Sequence, residues 1–372
     1  MKILQITPHY YPQRGGVERH VQSISEGLAA HGHEVAVLTM AAPGSGGAVE
    51  EIGGVLVFRL LATGPAPAYH VPMGLLSCLG SSGGYDIIHV HNYHAALLPI
   101  VAALAPQRMV VTPHLNDRPH SRLAELLHVP YRLIGGWSLR RARAIICVSE
   151  AERERLIGRF GLRASVATVI PNGVDIARAM RGETEARDPR QLLAVGRLQA
   201  YKGASRAVAA MADLPSGYRL TIIGTGPCHN DLQRQAQALG VADRVELIGE
   251  VGDTALSSWY RRSGVVLNMS SAEAFGITVI EALAHGCRVV CNDIPAFRDL
   301  ASRFPANIAL VDAARAPSVA AAARQAADTP APCADVSVFS WEHIVGQLLS
   351  TYAIVRAAEG ADAPSRYTST LV

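Results

Sequence analysis

Charged and aromatic residues are both scarce in this chain. Charged residues make up 17% and aromatic residues 5% of its 372 positions, whereas hydrophobic residues make up 49%. So low a charge content combined with so high a hydrophobic content argues against intrinsic disorder. The net charge of only +3 provides no dense basic surface of the kind that binds nucleic acid. We therefore expect a folded protein with no nucleic-acid partner.

Cysteine pairs, a signal peptide and membrane-spanning runs are missing as well. The six cysteines are scattered without a C-x-x-C pair, which argues against a disulfide framework or zinc motif and favours a reducing compartment. The apolar run at the N-terminus ends at Pro8, too early for a signal peptide. The run at residues 95–105 is broken by Pro99 and is shorter than the ~20 residues of a spanning helix. We expect a soluble, cytoplasmic protein.

The length and the alternation of elements predict two α/β domains. Domains typically hold about 100–200 residues, so this chain has room for two. Short aliphatic runs alternate with helical patterns in both halves, which is typical of a parallel sheet covered on both faces. We predict doubly wound, Rossmann-like domains at residues 1–172 and 173–340, a linker within 171–190, a helix at about 341–358 and a disordered tail from 360. The predicted strands are residues 3–7, 35–39, 86–91, 108–112 and 144–148, then 191–195, 219–223, 245–247, 265–268 and 288–291; the predicted helices include 17–31, 231–239 and 318–327.

Two turns that follow predicted strands carry features suited to phosphate. Ligands of doubly wound sheets bind at the carboxyl ends of the strands. Gly15 and Gly16 would let backbone N–H groups at a helix start approach a phosphate, although a plain flexible turn is the alternative. Arg197 and Lys202 follow a strand five residues apart. They suit a diphosphate, Arg by a forked contact and Lys as a point charge, or they are two solvated surface cations.

Familiar nucleotide motifs are absent from the remaining turns. The Gly224-Thr225-Gly226 turn resembles a dinucleotide fingerprint, but His229 stands where the third glycine is required. The sequence also lacks the G-x-x-x-x-G-K-[ST] loop of P-loop proteins. Both observations argue against a nicotinamide enzyme and a P-loop kinase or ATPase.

Two glutamates eight residues apart frame a predicted helix start. Glu273 lies in a loop after a strand, and Glu281 lies one turn into the next helix. The intervening residues 275–278 would present free N–H groups that suit a phosphate or a developing anion. Carboxylates on either side suit sugar and ribose hydroxyls. The alternative is an acid that favours the helix dipole, together with a solvated helix glutamate.

These features occur together in an order that resembles a known family. Over residues 1–358 the chain resembles the family-4 retaining glycosyltransferases of GT-B fold, in which two Rossmann-like domains face each other across a cleft. On this resemblance the N-terminal domain binds the acceptor, the C-terminal domain binds the nucleotide-sugar donor, and the final helix crosses back onto the N-terminal domain. The matching motifs are Gly15-Gly16, His114, Asn172-Gly173-Val174-Asp175, Gly196-Arg197 with Lys202-Gly203, and Glu273-x7-Glu281.

The resemblance implies a role for each matching residue. Arg197 and Lys202 would neutralise the donor diphosphate, Glu273 would hold the transferred sugar, and His114 would align it. Glu281 would bind the donor ribose. No metal cofactor is expected, because the two cations and helix N-termini would neutralise the leaving group. The implied donor-binding residues are Gly15, Gly16, Gly226, Ile248, Phe275, Gly276, Ile277, Thr278 and Glu281.

The acceptor side is less well defined by the sequence. Candidate acceptor contacts are Glu18, Asn92, Tyr93 and Asp117. The histidines at positions 89, 91 and 94 resemble a metal cluster, but no carboxylate or cysteine completes the set, so lining of the acceptor cleft or structural hydrogen bonding is favoured. Four arginines between positions 132 and 143 leave open a weak peripheral membrane contact, with a solvated helix end as the favoured interpretation.

Together these expectations describe a hexosyltransferase. It would move a sugar with retention from a nucleotide donor, UDP-sugar first and GDP-sugar second, to an acceptor hydroxyl. A small natural-product glycoside or aminocyclitol, as in antibiotic biosynthesis, is favoured over a lipid-linked or cell-wall polysaccharide acceptor. Two alternatives of other classes stay open, a GT-B sugar-nucleotide epimerase and an inactive sugar-nucleotide-binding module. The sequence does not indicate an oligomeric state.

Overall fold

The structure, a computed structural model, forms two compact units. It describes residues 1–13, 15–41, 45–63, 71, 72, 75, 84–93, 96–115, 122–181 and 186–362, without the side chains of 62, 63, 71, 72, 122–130, 180 and 360–362. The first unit comprises Met1–Asn172 with the chain from Trp341 onward, and the second comprises Gly173–Ser340.

Strands and helices alternate along most of the described chain. The strands are β1 (Lys2–Ile6), β2 (Glu34–Met40), β3 (Ala48–Ile52), β4 (Val55–Leu60), β5 (Ala62–Thr63), β6 (Val71–Pro72), β7 (Ile87–His91), β8 (Met109–Thr112), β9 (Ala144–Cys147), β10 (Ala167–Val169), β11 (Asp188–Val195), β12 (Arg219–Ile223), β13 (Val245–Gly249), β14 (Ser263–Asn268), β15 (Arg288–Asn292) and β16 (Ile308–Val311). The helices are α1 (Gly16–Ala30), α2 (Leu97–Leu104), α3 (Arg122–Arg141), α4 (Glu150–Phe160), α5 (Ile176–Met180), α6 (Ala204–Ala210), α7 (His229–Ala238), α8 (Asp253–Arg262), α9 (Ile277–Ala284), α10 (Pro295–Arg303), α11 (Ala316–Ala327) and α12 (Trp341–Asp362).

The first unit is built on a mostly parallel sheet. Its strand order is β10-β9-β8-β7-β1-β2-β4-β3, and within this sheet only β3 runs antiparallel to its neighbour among the described strands. β5 and β6 form a separate antiparallel pair. The order reverses between β1 and β7, so this unit has its topological switch point at their carboxyl ends. Helices α1 and α12 pack together over one face of the sheet, where Ile24, Leu28, Val345, Leu348 and Tyr352 are fully or almost fully buried.

The second unit is built on a fully parallel sheet. Its order is β13-β12-β11-β14-β15-β16, which reverses between β11 and β14. Ala207 and Val208 of α6 pack with Val319 and Ala323 of α11 in the core of this unit. Both units therefore have the doubly wound α/β class that the alternation of elements predicts, and that prediction is confirmed.

Several local predictions need correction. The segment predicted to be a linker contains α5 and the start of β11, and the Val174 N–H donates to the Phe339 carbonyl oxygen at 2.8 Å. The last helix continues to Asp362 rather than ending near 358, and residues 363–372 of the predicted tail lie outside the described residues. None of the described helices has the length and apolar character needed to cross a bilayer.

Candidate active site

A small pocket lies at the switch point of the second unit. It lies at the carboxyl ends of β11 and β14, where doubly wound sheets bind ligands. Its lining includes the backbone of Gly196 and the side chains of two cations, Arg197 and Lys202. Asn268 and Ser270 line it from the β14 side. Two positive side chains at the carboxyl ends of these parallel strands make the pocket suited to an anionic ligand.

An ion pair connects the two sides of this pocket. The Lys202 Nζ lies 2.6 Å from the Glu273 Oε1. Both side chains are largely withdrawn from solvent, with 23% of Lys202 and 13% of Glu273 exposed. A charge-assisted contact of this length orients both groups and holds the ammonium in place before any ligand arrives.

Backbone contacts fix the position of Lys202. The Ser271 N–H donates to the Tyr201 carbonyl oxygen at 2.8 Å, and the Ser270 hydroxyl donates to the Lys202 carbonyl oxygen at 3.4 Å. Gly203 follows with φ +71°, and a Cβ there would stand 2.1 Å from the Met269 carbonyl oxygen. Only glycine permits so close an approach. The loop after β11 is therefore bound to the loop after β14.

Arg197 lies at the exposed side of the pocket. Its Nη2 donates to the Tyr201 hydroxyl at 3.0 Å. The Lys202 Nζ lies 5.4 Å from the centre of the same ring. The aromatic ring of Tyr201 thus lies beside both cations, and neither the spacing nor the motif that identified the cations pointed to it.

The second glutamate, Glu281, lies one turn into α9. Gly276, with φ +107°, precedes this helix, and Asn268 Nδ2 donates to the Thr278 hydroxyl at 2.9 Å. The Glu281 Oε2 accepts a hydrogen bond from the Tyr260 hydroxyl at 3.1 Å. The free N–H groups of the first turn and the carboxylate of Glu281 are thereby held on one short helix.

The other predicted donor residues of this unit occupy varied surroundings. Phe275 is 4% exposed and its ring packs 5.8 Å from the ring of Phe339, so only its backbone is available to a ligand. Ile277 and Ile248 are partly exposed, and Gly226 lies in the turn after β12.

Residues from the ends of β7 and β8 and from the start of α1 lie near the switch point of the first unit. Gly15 and Gly16 stand at the start of α1, with Glu18 in its first turn. Asn92 follows β7 with φ +79° and His114 follows β8 with φ +45°, a strained backbone of the kind that concentrates at functional sites.

Two of the four predicted acceptor contacts, Tyr93 and Asp117, gain no support from the structure. Tyr93 is wholly buried, and its ring packs against the rings of Tyr131 and Phe160, so the structure assigns it to the core rather than to acceptor contact. Asp117 lies outside the described residues.

Buried histidines lie beside these strand ends. His20, His91 and His114 form one group, in which the candidate ligand nitrogens all lie within 4.8 Å of one another. His89 is instead tied to the Tyr352 and Thr112 hydroxyls, at 2.7 and 2.8 Å. His94, the third member of the histidine pattern seen in the sequence, lies outside the described residues.

The sequence pattern missed His20. It lies on the apolar face of α1, four residues before Ile24, so its burial was readable from helical spacing. Burial lowers the pKa of His20 to about 4. Burial, followed by the neighbouring histidines, also lowers the pKa of His91 and His114 well below the usual value. The three imidazoles are therefore neutral at pH 7.

Comparison with known proteins covers almost the entire chain. A family model described as Glycosyltransferase Family 4 matches residues 14–178, and one described as Glycosyl transferases group 1 matches residues 175–336. A phosphatidyl-myo-inositol mannosyltransferase of Mycolicibacterium smegmatis is 30% identical over 322 residues, covering 80% of this chain and 78% of the relative. A glycogen synthase of Mycobacterium tuberculosis is 27% identical over 406 residues, covering 98% and 97%.

Solved structures match the fold over the same length. The structure of Anabaena HepE in complex with UDP-glucose has a TM-score of 0.76 at 20% identity, covering 95% of this chain and all of that one. A sucrose-phosphate synthase of Thermosynechococcus elongatus has a TM-score of 0.70 at 22% identity, covering 96% and 99%. At 20% and 22% sequence identity, the similarity to these two structures shows a shared fold alone.

Proposed function

Because this chain belongs to the GT4-type glycosyltransferases and has their GT-B fold, we propose that it moves a hexose from a UDP-sugar to an acceptor hydroxyl with retention of configuration. The observation that carries the proposal is the Lys202–Glu273 ion pair beside Arg197, at the switch point of the second unit. This arrangement places two cations in one pocket and a carboxylate in contact with one of them, and these are the groups that a sugar diphosphate requires.

The donor would be recognised through its charge and its hydroxyls. Arg197 and Lys202 would bind the diphosphate oxygens, and the first-turn N–H groups of α9 would add partial positive charge. Glu281, held by Tyr260, would accept hydrogen bonds from the ribose hydroxyls. UDP-glucose in the HepE complex supports a uridine nucleotide as the first donor to test.

Catalysis would rest on stabilising the departing nucleoside diphosphate. Negative charge grows on the leaving phosphate as the glycosidic bond breaks, so cations held in advance lower the barrier. Glu273 would accept hydrogen bonds from hydroxyls of the transferred sugar and orient it, and it is not proposed as a nucleophile. Attack on the face from which the diphosphate leaves would give retention. His114 would align the sugar from the first unit.

We propose that transfer needs no metal cofactor. Arg197, Lys202 and the α9 start supply the positive charge that a divalent cation would otherwise bring to the diphosphate. A metal-independent reaction would continue at full rate in the presence of a chelator such as EDTA.

A glucan or other polysaccharide is the acceptor that we propose to test first. The support is the glycogen synthase relative, whose match covers nearly all of both chains. The natural-product glycoside favoured by the sequence finds no support among these relatives. The mannosyltransferase relative supports a lipid-linked acceptor as the second class.

One surface feature bears on the lipid-linked alternative. Helix α3 exposes Leu133 at 78%, Ile134 at 48% and Trp137 at 40% of their surfaces. Two of its exposed arginines are held by backbone oxygens, since Arg140 donates to the Phe160 carbonyl oxygen and Arg141 to the Ala102 carbonyl oxygen. The exposed apolar side chains therefore support a weak contact with a lipid surface better than the arginines do, and an anionic vesicle belongs in the acceptor panel. A cytoplasmic location stays a prediction from the scattered cysteines.

Product analysis with and without acceptor tests the proposed activity. The full-length protein is incubated with UDP-glucose and a glucan, a lipid-linked glycan or a small glycoside, and products are followed by mass spectrometry. We expect acceptor-dependent hexose transfer, with the anomeric configuration assigned by NMR. Conversion of the donor to an isomeric sugar nucleotide without acceptor would identify an epimerase instead. Binding of UDP-glucose without any product would identify a binding module.

A further inference from the structure

The three histidines of the first unit surround a common point. The His20 ring centre lies 5.1 Å from that of His114 and 5.7 Å from that of His91, with both pairs near edge-to-face. His91 and His114 stack at 5.8 Å. The three come from α1 and from the carboxyl ends of β7 and β8, so the sheet and one helix fix their positions.

These rings carry buried nitrogens that lack partners. Among the described residues, both ring nitrogens of His20, the Nδ1 of His91 and the Nε2 of His114 have no hydrogen-bond partner. His20 is 3% exposed and His91 is fully buried. A buried polar atom without a partner costs about 1–3 kcal/mol, so a concentration of such atoms at one point is typical of a ligand-binding site.

A hydrogen-bond network directs a lone pair of His91 into the cluster. The Gln5 Nε2 donates to the Tyr352 hydroxyl at 3.3 Å, and the Gln5 Oε1 lies 2.8 Å from the His91 Nε2. Because an amide oxygen only accepts, the His91 Nε2 carries the proton and the Nδ1 keeps its lone pair. A ligating histidine is commonly oriented in this way by a partner on its other nitrogen.

We propose that His20, His91 and His114 bind a divalent transition-metal cation, with Zn²⁺ as the best match. The group contains only imidazoles, which suit zinc, copper and nickel rather than magnesium or calcium. Nitrogens bound to a tetrahedral zinc lie about 3.3 Å apart, so shifts of about 1 Å within the 4.8 Å group suffice. His114 is partly exposed and provides the entry route.

The metal would act as an inhibitor of transfer. His114 is the residue that the proposed function assigns to the sugar, and a bound cation takes its lone pair. This consequence rests on the proposed function, whereas the binding of the metal does not.

The full-length protein is first stripped of metal with a chelator and is then loaded with Zn²⁺ or titrated with Co²⁺. We expect one Zn²⁺ per chain by elemental analysis after gel filtration, and visible absorption bands of four-coordinate cobalt on titration with Co²⁺. His20→Ala and His91→Ala should lose both signals. The matched control is His31→Ala, since His31 is exposed and its ring contacts only the Gly27 carbonyl oxygen in α1 among the described residues. It should retain both signals.

A second measurement does not depend on whether the variants fold. X-ray absorption at the zinc edge of the loaded wild type should give three imidazole ligands and no sulfur. Binding of less than one equivalent, a sulfur ligand, or unchanged binding in both His20→Ala and His91→Ala would overturn the site.

Activity assays separate the site from its consequence. Zn²⁺ should abolish hexose transfer by the wild type, a chelator should restore it, and His20→Ala should be insensitive to Zn²⁺. Stoichiometric binding with undiminished transfer would overturn the inhibition while the metal site stands. If no transfer is found at all, the proposed function fails and the binding measurements still decide the site.

Discussion

At the scale of single residues, the ion pair between Lys202 and Glu273 determines how the pocket is prepared. With 23% and 13% of their surfaces exposed, the two side chains are too buried for their contact to be an ordinary surface ion pair. Removing either partner leaves the other as an unpaired, partly buried charge. The pair therefore holds the ammonium where a diphosphate would meet it.

Replacing the ammonium tests its part in transfer. We expect Lys202→Met to lower kcat by about 10²–10³, the range seen when one preorganised donor to a developing anion is removed. Initial rates of UDP release measure the effect. Lys2→Met is the matched control, because Lys2 pairs with Glu34 on the surface. Equal rates for Lys202→Met and the wild type would contradict the role.

Removing the Glu281 carboxylate should change the kinetic constants differently from removing the Lys202 ammonium. Its proposed contact with ribose is made equally before and during the reaction, so its loss weakens donor binding without raising the chemical barrier. We expect Glu281→Ala to raise the KM for UDP-sugar about 10- to 100-fold, the value of one charge-assisted hydrogen bond, with kcat nearly unchanged. A fall in kcat at unchanged KM would move Glu281 from the ribose to the reacting centre.

At the scale of elements, the loops after β11 and β14 behave as one structure. The Ser271 N–H and the Ser270 hydroxyl both bond to backbone oxygens of the preceding loop, and Gly203 lies against Met269. The pocket is thus positioned by two parallel strands and a tight crossing of backbone, not by side chains alone.

The crossing at Gly203 can be tested against a matched glycine. Gly240 has nearly the same backbone angle, φ +66° against +71°, but a Cβ there meets nothing within 4 Å. Both alanine variants carry the strain of positive φ, and only Gly203→Ala adds the clash with Met269. We expect it to lower the free energy of unfolding by about 1–3 kcal/mol more than Gly240→Ala, measured by urea denaturation. Equal losses would show that the crossing tolerates a side chain.

The secondary-structure elements also show how much of the fold could be predicted from the sequence. Central parallel strands were predictable because they are short segments rich in aliphatic residues, as in β7 and β12. The strands β3, β4, β10 and β16 and the short pair β5 and β6 were missed. β3 has a mostly exposed charged sequence and β10 is only three residues long, whereas β4 and β16 are apolar runs that were overlooked. For β3 and β10, pairing with a neighbour and not their own pattern makes them strands.

The candidate site, like the fold, could be predicted only in part from the sequence. Charged residues in turns after strands were found because their spacing and order match a family. Tyr201 and Tyr260 were missed because a single tyrosine carries no pattern, and only the fold brings each beside a charged group. Tyr93 was misassigned because its position after a strand does not reveal that its ring turns into the core.

At the scale of the whole molecule, the two units share a plan and differ in chemistry. Each has a sheet with one switch point, between β1 and β7 in the first and between β11 and β14 in the second. The second unit carries two cations and the carboxylate paired with one of them there, and the first carries neutral imidazoles. This difference supports a division of labour in which the second unit binds the anionic nucleotide.

Hydrogen exchange with UDP tests this division. A ligand slows exchange in the parts that it orders and stabilises. We expect UDP to protect amides within residues 196–203 and 268–281, while residues 48–60 of the first unit remain unchanged. Additional protection at residues 15–20 would support the predicted contact of Gly15 and Gly16 with the diphosphate. Protection confined to the first unit would contradict the assignment of the nucleotide to the second.

The most direct measurement of the central claim is hexose transfer by the wild type and by Lys202→Ala and Glu273→Ala. Each protein is offered UDP-hexoses with a panel of hydroxyl-bearing acceptors, and products are detected by mass spectrometry. Arg219→Ala, an exposed arginine at the amino end of β12, serves as control. We predict acceptor-dependent transfer by the wild type and the control, and loss of at least about 10² in rate in both site variants. Undiminished transfer by Lys202→Ala and Glu273→Ala would contradict the proposed site.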